Sequence, residues 1–315
     1  MHHTGCNSCD LHTDIRNVMI SLTIKSTEVS IQNNQQTEMI NKKLLDKYNV
    51  IFMDLWGVVF DGQVLYPQAR ETLERLRKTG KKVILLTNAP LRKEKVANIC
   101  AQFNIHSTLY HDIVSSGDLV HSILKKGNPY GSKYFHIGSK KNILEGLPGY
   151  KEVARAQEAD FSIITSVLNC YNESLVLADK SLAANLPLLC VNPDKIFITQ
   201  SGNITYRSGM VAKRYEEKGG KVLYFGKPHK AIYEHAMKIV SAKNSEILAV
   251  GDSIHNDIIG ANNMNIASVL VCSGVHREEF NMKIGELPKN IFAEIRKKHS
   301  ITPDYVISLL RDLVF

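Results

Sequence analysis

A short apolar run, Val50-Ile51-Phe52-Met53, ends abruptly at Asp54 and is followed three residues later by Gly57. A run of this kind predicts a buried strand, and the carboxylate and glycine predict a tight loop at its carboxyl end. In an open α/β sheet, ligands bind at that end of the strands. Asp54 could therefore be a nucleophile in a ligand site, or it could cap a turn, as aspartate often does. The rest of the chain has to decide between these two interpretations.

Strand and helix patterns alternate at short spacing on both sides of this run. An amphipathic helix is predicted from Pro67 to Lys78, because an apolar stripe follows the proline and stops at Gly80. Further elements are predicted as a strand at 82–86 and helices at 91–103 and 117–126. Such alternation is typical of a doubly wound α/β core, with a parallel Rossmann-like sheet and right-handed crossovers.

A dense cluster of helix breakers, Gly127-Asn128-Pro129-Tyr130-Gly131, predicts a hinge after this first part of the core. Beyond it, strands at 134–138, 161–165 and 188–191 and a helix at 172–184 predict a second α/β unit. The first pattern resumes with strands at 222–225, 247–250 and 267–271, helices at 231–240 and 258–264, and a C-terminal helix from Pro303. We therefore predict a core at 45–130 and 222–315, an inserted α/β cap at 131–221, and a poorly ordered polar extension at 1–44 in which Met19 or Met39 could be the true start.

The composition limits the partners of the chain. Its formal net charge is +8, but the lysines are scattered, which favours a solvated basic surface over a nucleic-acid interface. The six cysteines are mostly far apart, as in proteins of reducing compartments. There is no run of about 18 apolar residues and no apolar signal-peptide core. We expect a cytoplasmic protein that binds neither nucleic acid nor membrane.

Three predicted strand ends carry polar side chains. Asp54 follows the first strand, Thr87 and Asn88 follow another, and Asp252 with Asp257 follow a third. The carboxyl ends of parallel strands meet at one edge of a sheet, where Lys227, in the loop before a helix, can join them. Crowded carboxylates repel one another, so Lys227 and a hard divalent cation are expected to neutralise them. Mg²⁺ fits best, because a closed zinc site would use histidine or cysteine.

The order and spacing of four segments resemble the motifs of the haloacid dehalogenase superfamily. These segments are Asp54-Leu55-Trp56-Gly57-Val58, Leu86-Thr87-Asn88, Gly226-Lys227-Pro228 and Gly251-Asp252-Ser253-Ile254-His255-Asn256-Asp257. The insertion between the second and the third resembles the class IIA cap, which is found in sugar-phosphate and nucleotide phosphatases of that group. Self-association through the cap is a further expectation from this resemblance.

The resemblance implies a role for each motif residue. Asp54 would attack phosphorus to form an aspartyl-phosphate, and Thr87 and Asn88 would hold the phosphoryl oxygens. Lys227 would neutralise the nucleophile and the transferring group. Mg²⁺ would be bound by Asp54, Asp252 and Asp257 and by the backbone carbonyl at Trp56. The function expected is a Mg²⁺-dependent phosphatase of small phosphorylated metabolites.

Two segments of the predicted cap could meet the substrate. Asn192-Pro193-Asp194 resembles a loop that class IIA caps present to the active site, so Asn192 and Asp194 could contact the substrate, although the sequence is also that of a plain turn. Tyr206, Arg207 and Lys213 could meet an anionic leaving group or lie on a solvated surface.

One position departs from the family pattern. Family phosphatases have an aspartate two residues after the nucleophile, which protonates the leaving alcohol and then activates water, whereas this chain has Trp56. General acid–base help is typically worth about 10²–10⁴-fold in rate, and an indole cannot supply it. Asp61 is the nearest spare carboxylate, although with Gly62 it could simply form a turn. The alternative functions are therefore a phosphometabolite binder without efficient turnover, or chemistry at C–halogen or C–P bonds.

Overall fold

The apolar run at Val50–Met53 forms the central strand of a six-stranded parallel sheet in the computed structural model, which describes residues 45–127, 129–138, 143–144 and 147–313. The predicted extension at 1–44 lies outside these residues. Before the cap, the core consists of β1 (Val50–Met53), α1 (Ala69–Lys78), β2 (Lys82–Thr87), α2 (Lys93–Gln102), β3 (Asp112–Ser115) and α3 (Ser116–Lys125).

The cap is built on a second parallel sheet. Its elements are β4 (Lys133–Ile137), β5 (Lys151–Glu152), β6 (Phe161–Ile164), α4 (Tyr171–Ala183), β7 (Leu188–Cys190), β8 (Ile196–Ile198), β9 (Ile204–Tyr206), α5 (Ser208–Glu217) and β10 (Val222–Tyr224). Five strands pair in the order β10-β7-β6-β4-β5, and β8 and β9 form a separate antiparallel hairpin.

The chain then returns to the core sheet. The remaining elements are α6 (Lys230–Val240), β11 (Ile247–Gly251), a π-helical turn (Ile254–Ile258), α7 (Ile259–Asn263), β12 (Ala267–Val271), α8 (Ile291–Lys298) and β13 (Tyr305–Ile307). Short 3₁₀ helices lie at Ser107–Leu109, Ala156–Glu158, Asn244–Glu246 and Leu310–Asp312. The predicted doubly wound core with an inserted α/β cap is confirmed.

The order of the core strands is β13-β12-β11-β1-β2-β3, so β11 and β1 are the two central strands of the sheet. The chain runs from β1 to one side through β2 and β3, and after the cap it fills the other side. The direction of winding therefore reverses between β1 and β11, and crevices for ligands open at such switch points. β1 is covered on both faces, because Ile51 and Met53 pack in one apolar cluster while Val50 and Phe52 pack in another.

Helix α3 joins the two units through its packing. Leu119 belongs to a core cluster, whereas Val120 and Leu124 pack with cap residues such as Phe161 and Ile163. The predicted hinge at 127–131 therefore follows a helix that packs against both units.

Several sequence predictions need correction. The strand at 222–225 was expected in the core, but β10 pairs with β7 of the cap sheet, because an apolar run does not specify which sheet it joins. The helix expected from Pro303 is wrong: Tyr305–Ile307 is a strand paired with β12, as suits its aromatic and β-branched residues. β3, the β8–β9 hairpin, α5 and α8 were not predicted.

Among the described residues, no helix combines the length and apolar character required to cross a membrane.

Candidate active site

The ends of β1, β2 and β11 bring Asp54, Thr87 and Asp252 to one pocket of ≈ 190 Å³. The register explains this convergence, since Met53 at the end of β1 is paired with both Leu85 of β2 and Val250 of β11. All three polar side chains are at least 90% buried, with relative exposures of 7%, 2% and 6%. The predicted meeting of the strand ends therefore occurs in a largely dry pocket.

Lys227 lies between two of the carboxylates. Its Nζ donates to Asp54 Oδ1 and to Asp257 Oδ1, both at 2.7 Å, and the lysine is only 3% exposed. Burial alone would lower the pKa of Lys227, but Asp257 and Asp54 outweigh it, and the net pKa is raised. Lys227 is therefore a fixed positive charge beside the predicted nucleophile.

The π-helical turn at Ile254–Ile258 positions Asp257. Asp257 N donates to Ser253 O at 2.8 Å, and Ser253 N donates to Asp257 Oδ2 at 3.1 Å. π-helical turns often occur at functional sites, because the extra residue changes the direction of a side chain. Here the turn brings Asp257 to Lys227 and places Asn256 at the wall of the pocket.

Asp54, Asp252 and Asp257 form an acidic trio that fits a divalent cation. One carboxylate oxygen from each lies within 4.8 Å of the other two. Lys227 compensates Asp54 and Asp257, whereas Asp252 accepts, from the described residues, only the N–H of Val275, at 2.7 Å. The trio thus carries more negative charge than Lys227 can balance. An all-oxygen set of this kind suits Mg²⁺ or another hard cation.

The carboxylates affect each other's protonation. Burial raises the pKa of Asp252 well above its usual range, and the neighbouring Asp54 and Asp257 raise it further. Burial also raises the pKa of Asp54, although Lys227 opposes that effect. A bound cation would favour the ionised forms, which are the forms that a nucleophile and metal ligands require.

Two glycines allow the backbone to approach Asp252 closely. A Cβ at Gly57 would lie 2.0 Å from Asp252 Oδ2, and a Cβ at Gly274 would lie 2.1 Å from the same atom. Gly57 also has φ +94°, which side-chain-bearing residues rarely adopt. Gly57, three residues after Asp54, therefore lets the loop of Asp54 pack directly against Asp252.

The cap closes the pocket with the loop at 191–195. Asp194 Oδ1 accepts hydrogen bonds from Asn88 Nδ2 at 2.9 Å and from Asn256 Nδ2 at 2.8 Å. Asn192 Oδ1 accepts from Asp194 N at 2.9 Å, as in an Asx turn. The loop is therefore both a turn and part of the pocket wall, which combines the two alternatives left open by the sequence.

The side chain of Asn88 connects three loops. Besides Asp194, Asn88 Nδ2 donates to Lys227 O at 3.0 Å, and Asn88 Oδ1 accepts from Lys227 N at 2.7 Å. Thr87 Oγ1 accepts from Ala89 N at 3.1 Å, so its hydroxyl proton is available to a phosphoryl oxygen. The side chain of Asn88 therefore positions Lys227 and Asp194, while Thr87 lines the pocket with its hydroxyl proton free for an acceptor there.

Trp56 lines the pocket and is half-buried. Its ring packs edge-on against Phe60 at a centroid distance of 4.9 Å. Asp61 does not line the pocket: its Oδ1 accepts from Gln63 N and Val64 N, and its Oδ2 accepts from Gln200 N of the cap at 2.9 Å. The turn alternative for Asp61 is thus observed, together with a contact to the cap that the sequence did not indicate.

Two pocket groups were not assigned from the sequence. Asn256 lies inside the quoted motif between Asp252 and Asp257, so its proximity in sequence was an available signal. Val275 acts through its backbone N–H, for which side-chain patterns carry no signal. Arg207, which the sequence left between contact with an anionic leaving group and a solvated surface, lines the pocket, with its guanidinium carbon 5.0 Å from the centre of the Phe197 ring.

Comparison with known proteins agrees with this arrangement. A family model described as haloacid dehalogenase-like hydrolase matches residues 51–150, and one described as HAD-like hydrolase matches residues 224–313. Sugar-phosphatase AraL of Bacillus subtilis is 27% identical over 84% of this chain and 91% of its own length. The 4-nitrophenylphosphatase of Schizosaccharomyces pombe is 26% identical over 86% of this chain and 95% of its own length.

A solved structure shares both the fold and part of the sequence. The crystal structure of a haloacid dehalogenase-like hydrolase from Brucella suis superposes with a TM-score of 0.71 and 28% identity, covering 85% of this chain and 97% of that one. The two family models match both halves of the core and leave most of the inserted cap between them. The chain therefore belongs to the haloacid dehalogenase-like hydrolases, in the branch that carries the class IIA cap.

Proposed function

We propose that this protein is a Mg²⁺-dependent phosphatase of small phosphorylated metabolites that works through an aspartyl-phosphate on Asp54. The observation that carries the proposal is the position of Asp54, whose Oδ1 lies 2.7 Å from Lys227 Nζ in a buried pocket shared with Asp252 and Asp257. The predicted enzyme class, phosphoric monoester hydrolase, is confirmed by the phosphatases among the relatives.

The pocket residues supply positioning and charge neutralisation, which are the main demands of phosphoryl transfer. Asp54 attacks phosphorus from the floor of the pocket. Lys227 offsets negative charge on Asp54 and on the transferring group, and Thr87 donates its hydroxyl proton to a phosphoryl oxygen. Mg²⁺, held by Asp54, Asp252, Asp257 and the carbonyl of Trp56, would neutralise further charge on that group.

The space around the pocket supports a substrate of metabolite size. A second cavity of ≈ 410 Å³ adjoins the pocket and shares Ile196, Ser253, Asn256 and Val275 with it. Pockets for small organic ligands typically measure about 300–1,000 Å³. We infer that the phosphoryl group occupies the smaller pocket and that the organic part extends into the larger cavity, between the cap and the core.

Phosphate release from 4-nitrophenyl phosphate tests the proposal, because its phenolate leaves readily without an acid. Wild type should release phosphate in the presence of Mg²⁺ and stop when the metal is chelated, and Asp54→Asn should be inactive. Asp61→Asn is the matched control, since Asp61 is a buried aspartate on the same loop outside the pocket. Equal rates for wild type and Asp54→Asn would refute the proposal.

The alternative of a binder that has lost turnover gains no support from the relatives, which are named as enzymes. Steady turnover of a natural phosphate monoester would exclude it. The cytoplasmic location and the self-association through the cap remain predictions from the sequence.

A further inference from the structure

A protonating group is missing at the position where the family resemblance places it. An alkyl phosphate leaves as an alkoxide unless a proton reaches the oxygen, and the Trp56 indole N–H is not acidic enough to supply one. If the proposed function holds for natural phosphate esters, another acid should face the leaving oxygen.

Asp61 does not meet this requirement. Its two oxygens accept three backbone N–H groups, those of Gln63, Val64 and Gln200. Burial acts to raise the pKa of Asp61, but these donors outweigh it and hold the pKa below its usual range. Asp61 thus remains ionised, and it lies outside the pocket.

Asp194 reaches the pocket from the cap, whereas Asp54 reaches it from the core. In-line displacement places the leaving oxygen opposite the nucleophile. Asp54 lies at the end of a core strand, and the loop at 191–195 covers the same pocket from the cap. Asp194 Oδ1 is held by the amides of Asn88 and Asn256, whereas Oδ2 accepts no hydrogen bond from any described residue. We propose, on the basis of the proposed function, that Asp194 is the general acid and base of this enzyme, supplied by the cap in place of Trp56.

The surroundings of Asp194 are consistent with a proton that is held and released. Burial is the largest effect and raises the pKa of Asp194, and the nearby Asp257 raises it too. The hydrogen bond from Asn88 and the cations Lys227 and Arg207 lower this pKa, but its net direction is upward. These groups come from the core loops and from the cap, so they surround the carboxyl group. Carboxyl groups that act as general acids in enzymes have a raised pKa, because they must hold a proton before they donate it.

The proton balance closes over the two half-reactions. In the first, Asp54 forms a bond to phosphorus, the bond between phosphorus and the leaving oxygen breaks, and the Asp194 proton moves to that oxygen to give the alcohol. In the second, the Asp194 carboxylate takes a proton from water as the water oxygen attacks phosphorus and the bond to Asp54 breaks. Inorganic phosphate leaves, and Asp194 is protonated again.

The test compares an alkyl phosphate, glycerol phosphate, with 4-nitrophenyl phosphate. Asp194→Asn keeps the size of the side chain and an oxygen that can accept from Asn88 and Asn256. We expect kcat/KM to fall about 10²–10³-fold for the alkyl ester, within the range of general acid catalysis, and less than about tenfold for the aryl ester. The alkaline limb of the alkyl pH profile should disappear. Asp61→Asn should leave the alkyl-to-aryl ratio unchanged.

A second variant tests whether the lost function is protonation. Trp56→Asp combined with Asp194→Asn places a carboxyl group where the family pattern has one, and we expect it to recover at least about tenfold of the alkyl rate. An equal fall for both esters in Asp194→Asn would mean that Asp194 only binds substrate, and would overturn the inference.

Failure of the inference can be distinguished from failure of the proposed function. A wild type that releases phosphate from neither ester overturns both. A wild type that is active, with an unchanged alkyl-to-aryl ratio in Asp194→Asn, overturns only the role of Asp194. If Asp194→Asn does not fold, kcat/KM of wild type is measured with a series of phosphate esters that differ in leaving-group pKa. A weak dependence of kcat/KM on that pKa supports a positioned acid, and a steep dependence contradicts it.

Discussion

At Gly57, the backbone of the loop that follows Asp54 lies close to Asp252, a predicted metal ligand. Its φ of +94° is one constraint, and the 2.0 Å between a Cβ at this position and Asp252 Oδ2 is a second, independent one. The first affects the stability of the loop, whereas the second affects the position of Asp252. A pair of variants can separate these two effects.

We expect Gly57→Ala to weaken Mg²⁺ binding and phosphatase activity by at least about tenfold, because Asp252 must move to admit the methyl group. Gly80→Ala is the matched control, since Gly80 has φ +79° but a Cβ added there would meet no described atom within 4 Å. Both variants should lose roughly 1 kcal/mol of stability from backbone strain. Calorimetric titration with Mg²⁺ measures the difference, and equal Mg²⁺ affinities for the two variants would contradict the expectation.

Lys227 is the only described cation within 4.0 Å of the Asp54 and Asp257 carboxylates. Removing one partner of a buried ion pair leaves an uncompensated charge and typically costs about 3–5 kcal/mol. We therefore expect Lys227→Met to lower the free energy of unfolding by about that amount without metal, as measured by urea denaturation.

Lys218→Met provides the comparison for this experiment. Lys218 pairs with Asp179 at 2.5 Å, but both side chains are 52% exposed. Exposed pairs contribute about 0–1 kcal/mol. A loss in Lys227→Met no larger than that in Lys218→Met would show that the buried pair does not stabilise the core.

At the scale of elements, the β8–β9 hairpin fastens the cap to the core. Gln200, near the turn of the hairpin, donates its N–H to Asp61 Oδ2 at 2.9 Å, and its carbonyl accepts from Arg277 Nη1 at 3.0 Å. Asp61 lies on the loop that follows Asp54, and Arg277 follows Val275, whose N–H donates to Asp252. The hairpin therefore connects two core segments beside the pocket, the one that follows Asp54 and the one that follows Val275, to the cap.

The pKa of Asp61 gives this contact a definite pH dependence. Because its folded-state pKa is lowered, Asp61 contributes stability that is complete above its usual value of 3.8 and is lost as pH falls through the lower folded value. Asp61→Asn also places an amide where Gln200 N must donate, and we expect a loss of about 1–3 kcal/mol near neutral pH.

Thermal unfolding of wild type and Asp61→Asn between pH 7 and about pH 3 measures this effect. The difference between the two proteins should be constant down to about pH 4 and should then shrink. A difference that is the same at all pH values would show that packing, rather than the charge of Asp61, makes the contribution.

The sequence predicted the position of those site residues that directly follow a predicted strand. Asp54, Thr87 and Asp252 could be placed together, because each follows an apolar run and parallel strands align their carboxyl ends. Contacts between distant segments were not visible in the same way. Asp61 and Gln200 are 139 residues apart, and neither side chain carries a pattern that identifies the other. For the same reason, β10 was assigned to the wrong sheet, since its apolar residues suit either one.

At the scale of the whole molecule, the acidic pocket contrasts with a chain whose formal net charge is +8. Four aspartates, Asp54, Asp194, Asp252 and Asp257, line it with only Lys227 and Arg207 as cations among the described residues. The net positive charge of the chain favours the approach of a phosphate ester, while the acidic floor of the pocket favours a metal ion. Cap and core meet here through Asp194, so a change of charge in the pocket should affect the stability of both units.

Binding of Mg²⁺ should therefore stabilise the folded protein as a whole. A ligand at 100 times its dissociation constant adds about 2.7 kcal/mol when it binds only the folded state. Asp252→Asn should remove this increment, because one ligand is lost, while its amide oxygen still accepts from Val275 N. Without metal, the variant should be at least as stable as wild type, since it lacks one of three mutually repelling buried carboxylates.

Thermal unfolding of both proteins in EDTA and in Mg²⁺ at matched ionic strength measures these two opposite effects. The same Mg²⁺ increment in both proteins would show that the ion binds elsewhere, and a less stable metal-free variant would show that Asp252 is not repelled by its neighbours.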